Sequence, residues 1–119
     1  MDTKDRELLD LAAKAADIRL EWVGASPVEI FSRWSGDPDD YPETDCGEWN
    51  PLTDDGQAMK LAVKLDISLR LDGDELTGIA SWYRKGKLFR VVGNYHTGRT
   101  KDARRLIVLA AAEIGRAAQ

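Results

Sequence analysis

The sequence predicts an α+β domain, an antiparallel sheet of about five strands packed with three helices in the order α-β-β-α-β-β-β-α. Three observations lead there. Apolar residues recur at offsets of three, four and seven in three separate stretches, the period of an amphipathic helix. Between those stretches five segments alternate or run apolar with the composition of strands. The links between successive strands are short, which favours antiparallel neighbours. A chain of 119 residues suits one core, and at that size roughly two thirds of the surface of the unfolded chain can be buried, so residues 1–119 are read as a single domain.

The first helix is marked by Leu8, Leu11, Ala12 and Ala15, with Asp2 or Thr3 as its cap. Ile18, Leu20 and Trp22 alternate with Arg19 and Glu21, and Val28, Ile30 and Trp34 continue the period of two beyond the turn material "GASP". From Ser35 to Asp55 the apolar rhythm stops, and this segment is read as a long acidic loop. A second helix returns with Ala58, Leu61, Ala62 and Leu65, entered through Asp54 and Gln57 at the spacing of a capping box. "ISLRL" (67–71), "ELTGIASWY" (75–83) and "KLFRVVGNY" (87–95) give three strands punctuated by Asp72-Gly73 and Lys85-Gly86. "GIASWY" and "LFRVV" are apolar on both faces, the pattern of strands covered from two sides. Helices on both faces would make an α/β/α layered sandwich; periodicity leaves one face or two open. Ala103, Leu106, Ile107, Ala110, Ala111, Ile114 and Ala118 form the last and clearest helical stripe. Val108 and Leu109 widen it, which suits either burial on two sides or a homodimer. No internal repeat stands out.

Composition bounds the compartment and the chemistry. The net charge of −4 argues against general adhesion to nucleic acid or anionic membrane. Cys46 is the only cysteine and His96 the only histidine, so an internal disulfide is ruled out and a transition-metal cluster would need carboxylates for most of its ligands. The charged, amphipathic start has neither a signal-peptide core nor a membrane span, and a cytoplasmic protein is expected. No nucleophile elbow, phosphate-binding loop or zinc-protease motif is present. The reading is therefore non-enzymatic, with no cofactor and no metal; Asp37, Asp39 and Asp40 lack the rest of a calcium-binding loop. Four tryptophans are expected to anchor the core and its rim.

Trp49-Asn50-Pro51, Asp55-Gly56 and Ala58, then "LAVKL" (61–65) and "ARRLIVLAAAEIG" (103–115) together resemble small proteins of tailed phages and prophages, the phage ABA sandwich type of family. In that family an antiparallel sheet is described between helices. The first 48 residues and the sheet hairpins carry little of the resemblance. It implies a phage or prophage origin, expression inside a bacterium, and no catalytic residues to carry over, since the family has no established activity.

Two charged regions stand out. The segment 35–55 holds eight acids and no Lys or Arg; with its aromatic margin it is the first candidate surface, for contact with a host or phage protein. The residues concerned are Trp34, Asp37, Asp39, Asp40, Tyr41, Glu43, Asp45 and Trp49. Trp49 has a second reading, as an apolar lid folded back over helix and sheet. The other region is basic: Arg84, Lys87, Arg99, Lys101, Arg104 and Arg105 are read as a patch at the start of the last helix, able to hold an anion or nucleic acid. Cations there oppose the helix dipole and gain nothing locally. The acidic segment lying over this patch would neutralise both.

Overall fold

The computed structural model describes residues 2–33 and 43–118. Along the chain these form α1 (Thr3–Ala15), β1 (Leu20–Val23), β2 (Ser26–Arg33), β3 (Glu43–Glu48), α2 (Asp55–Lys64), β4 (Ser68–Asp72), β5 (Thr77–Arg84), β6 (Lys87–Asn94) and α3 (Thr100–Ala117). The α+β class and the three helices are as the sequence predicts. All five predicted segments form strands, but their number and grouping differ. They number six among the described residues and form two three-stranded antiparallel sheets, β1-β2-β3 (sheet A) and β4-β5-β6 (sheet B). The additional strand is β3, which lies inside the segment expected to be irregular. Its sequence ETDCGE shows no apolar alternation; pairing with β2 along one edge supplies the order instead, and an edge strand tolerates such charge.

The helix ends follow local chemistry. Asp2 caps α1 by accepting the Lys4 N–H, and Asp54 caps α2 by accepting the Gln57 N–H at 2.8 Å. Both helices stop in the same way. Ile18 N–H reaches the Ala13 carbonyl and Asp17 N–H the Lys14 carbonyl; Ile67 and Asp66 repeat this on Ala62 and Val63. These are Schellman motifs, and their left-handed position is filled by Asp17 (φ 57°) and Asp66 (φ 54°).

That coincidence extends further. Each helix leads into a three-stranded meander. Past its last strand, Trp49 N–H donates to Pro27 O and Thr53 N–H to Asn50 O; in the second half Tyr95 donates to Leu76 O and Arg99 to His96 O. The chain is thus two α-β-β-β units in tandem, closed by α3, where no repeat was expected from the sequence. The match lies in backbone hydrogen bonds and a short Asp-Ile-x-Leu step (17–20 and 66–69), too little for sequence periodicity to register.

One core joins the units: Leu9, Trp49, Leu61, Ile67, Ala80, Trp82, Leu106 and Val108 belong to a single cluster. Trp22 ties α1 to sheet A, its indole N–H donating to Asp10 at 2.8 Å while the Arg6 guanidinium lies 4.4 Å over its ring. In sheet B the paired Gly78 and Gly93 open a seat for Leu106 of α3. A Cβ at either would lie 2.4 Å or 2.9 Å from a Leu106 methyl. Gly78, Ala80 and Trp82 accordingly face the helices and are buried. Among the described residues no helix packs on the opposite face of sheet B, where the apolar content suggested cover, and the α/β/α layering is not confirmed.

Candidate protein-contact surface

The acidic segment enters the described structure only in part. Trp34, Asp37, Asp39, Asp40 and Tyr41 lie outside the described residues. Glu43 and Asp45 fall in β3, opposite Arg33 and Phe31 of β2. Trp49 is 5 % exposed and belongs to the core, which corrects its reading as a contact residue. Leaving β3, the chain turns inward, and the large ring gains more from burial than the rim offers. The turn that follows is closed on itself: Asn50 N–H donates to Gln57 Oε1 at 2.6 Å, Gln57 Nε2 to the Glu48 carbonyl at 2.7 Å, and Leu52 N–H to Asn50 Oδ1. Among the described residues no buried side-chain N or O atom lacks a partner.

The six basic residues do not converge. Arg84 donates to the Ile114 carbonyl near the C-terminal end of α3, and Lys87 pairs with Arg84 across the hairpin. Arg99, Lys101, Arg104 and Arg105 are toward the other end of this 18-residue helix, about 14–23 Å from Ile114 along its axis at 1.5 Å per residue. The expected single patch is therefore two groups, because the β5–β6 hairpin runs along the helix and carries its tip to the far end. Cations at that end suit the helix dipole.

At the N-terminal end the arginines serve the fold. Arg104 donates through Nε to the Leu52 carbonyl at 2.8 Å and through Nη1 to Asp55 at 2.6 Å and Thr100 at 3.0 Å. Arg105 reaches Asp5 of α1 at 3.0 Å, and Arg99 approaches Asp102 at 3.7 Å. Among the described residues the acidic segment meets this group through the Leu52 carbonyl and the carboxylate of Asp55, its last residue. A shallow groove of about 390 Å³ remains, lined by Asp5, Arg99, Lys101 and Arg105. With no side-chain cap at Arg99, Asp102 reaches back and accepts both the backbone N–H of His96 at 3.0 Å and its ring Nδ1 at 2.9 Å. A carboxylate can only accept, so the imidazole proton sits on Nδ1.

The ring hydrogen bond from His96 holds the Asp102 carboxyl below its ordinary range; burial pushes it upward, and the His96 backbone N–H and the Arg99 charge pull it down again. A lowered folded-state value means stability that is full above the unfolded pKa and lost as pH falls through the folded one. Asp102→Asn should therefore lower the melting temperature at pH 7, and the two melting curves should converge below about pH 4. A difference that stays constant with pH would contradict this ionic role.

What the described residues leave open is the outward face of sheet B. Tyr83 is 74 %, Leu88 54 % and Val92 59 % exposed. Cross-strand register places Tyr83 beside Leu88 and forms the rows Arg70–Ile79–Val92 and Ser68–Ser81–Arg90. The result is two apolar pairs, Ile79–Val92 and Tyr83–Leu88, with the row Ser68–Ser81–Arg90 between them and Arg70 on the outer strand β4. Sheet A has a counterpart, the row Glu21–Val28–Glu48 with Val23 (67 % exposed) and Ile30 nearby. In the sequence the apolar residues of β5 and β6 suggest cover on two sides, while periodicity leaves one face or two open.

Among the described residues no helix is long and apolar enough to cross a membrane, and no group of three His, Cys, Asp or Glu is placed to hold a metal ion. Neither family models nor curated proteins nor solved structures give a match to this chain.

Proposed function

We propose that this chain is a small non-enzymatic accessory protein that acts by protein–protein contact, with the outward face of sheet B as its contact surface. The observation that carries this reading is the outward face on which exposed Tyr83, Leu88 and Val92, with half-buried Ile79, flank the row Ser68–Ser81–Arg90 and stand beside Arg70. Aromatic and aliphatic anchors beside arginines are the composition of interface hot spots, and apolar side chains held in open strand rows favour no local structure by being there. Anion binding at the start of α3 is the weaker reading, since Arg99, Arg104 and Arg105 each already meet an acid of the same chain. The resemblance to phage and prophage proteins points to the bacterial cell as the place to find the partner, a host or phage protein.

The test is capture on immobilised protein from a bacterial lysate, comparing the native chain with Leu88→Glu/Val92→Glu. Both positions are exposed, so the fold should be little affected. At least a tenfold loss of the captured protein is expected, about 1.4 kcal/mol or more in binding. Equal capture by both would remove the face from consideration.

A further inference from the structure

We infer that the outward face of sheet B receives the outward face of sheet A from a second copy of this chain. The inference rests on the reading of sheet B as a protein contact and names its occupant. The two faces are complementary in charge: Arg70 and Arg90 stand on the two outer strands of one, beside its apolar pairs, while Glu21 and Glu48 stand on either side of Val28 on the other. Placing like faces together would set guanidinium against guanidinium or carboxylate against carboxylate, which is costly at an interface. Unlike faces pair the charges and bring Val23, Val28 and Ile30 over Ile79, Leu88 and Val92 at the spacing of stacked sheets, about 10 Å.

Two remaining charges have the sign opposite to their face, Asp72 on sheet B and Arg19 beside Glu21 on sheet A, and each already has partners in its own chain. Asp72, also on the outward side of sheet B, is occupied by its own turn, accepting the N–H groups of Asp74 and Glu75 at 3.1 Å. Glu21 is bonded to Arg19 at 3.1 Å, but both groups are well exposed, and such a pair contributes little and can be exchanged for an intermolecular one. The contact uses different patches on the two partners, so each copy keeps one face of each kind for a further neighbour unless the arrangement closes.

Light scattering on the purified full chain tests this, over concentrations up to about 0.5 mM, an affinity range open to a contact of modest area. The weight-average mass should rise above that of the monomer and fall back at high salt. Arg70→Glu/Arg90→Glu and Glu21→Arg/Glu48→Arg should each be monomeric with unchanged circular dichroism, and mixing the two should restore association. Native protein that stays monomeric, or a mixture that fails to associate, overturns the inference. If the native chain is monomeric yet loses its lysate partner on Leu88→Glu/Val92→Glu, only the second copy is excluded as occupant. If that capture is also unchanged, the contact reading of sheet B fails with it.

Discussion

Replacing Gly115 by alanine is expected to destabilise the protein by about 2–3 kcal/mol and to lower its melting temperature by roughly 10 °C. On helix propensity alone the change should be favourable by about 1 kcal/mol, because glycine in a helix interior leaves the unfolded chain more freedom to lose. The crossing of α1 and α3 reverses the sign. A Cβ at Gly115 would sit 2.0 Å from the Leu11 carbonyl oxygen, 2.9 Å from its carbon and 3.4 Å from the Ala15 nitrogen. All three are backbone atoms of a helix and cannot rotate aside, so α1 must move as a body. Its neighbours leave no slack: Ala12 and Ala13 on α1, Ala16 at its C-cap, and Ala110, Ala111 and Ala112 on α3 are all buried. Small residues on both helices permit the close approach, and the same approach forbids one more methyl group. Urea and thermal unfolding measure the effect. A variant as stable as the native chain would contradict the closeness of this crossing, and with it the rigid placement of α3 against sheet B.

That crossing also shows what sequence can and cannot convey. The helices were legible because amphipathic period and caps are local: Asp54 three residues before Gln57 gives the start of α2 directly. The hairpin at Lys85-Gly86 was equally plain, both residues now having positive φ, 52° and 77°, as a two-residue turn requires. Strand β3 was not legible, since its order comes from pairing with β2 and not from its own side chains. The split into two sheets was hidden for a related reason. Periodicity describes which side of a strand is apolar but says nothing of which strand lies beside it, and α2 intervenes between β3 and β4.

The charged regions illustrate the same limit at the level of the site. Arg84 and Arg104 are 20 positions apart and looked like members of one patch, yet a hairpin and an extended helix carry them to opposite ends of α3. Arg104 looked available to a ligand but is turned onto the Leu52 carbonyl and Asp55, a pairing across half the chain that no local pattern encodes. Conversely, Ile79, Leu88 and Val92 were visible as apolar, and only the one-sided seating of α3 reveals them as surface.

Trp49 is the residue for which these two kinds of role predict opposite measurements. As a core side chain, Trp49→Ala should cost about 3–5 kcal/mol, the transfer of a large ring together with the cavity it leaves. The loss should be at the upper end because the ring lies beside a turn that cannot easily collapse: Asn50, itself buried, is held by Gln57 and holds Leu52. Trp49→Phe, which keeps most of the apolar volume, should lose much less, about 1–2 kcal/mol. An exposed contact residue would behave otherwise, with stability changed by no more than about 0.5 kcal/mol and the whole effect appearing in binding. Unfolding in urea, followed by the fluorescence of the three remaining tryptophans, Trp22, Trp34 and Trp82, separates the two. A native-like midpoint for Trp49→Ala would return this tryptophan to the surface. The predicted large shift means that any loss of binding seen in that variant reports a destabilised fold, so the contact is to be mapped at Leu88 and Val92.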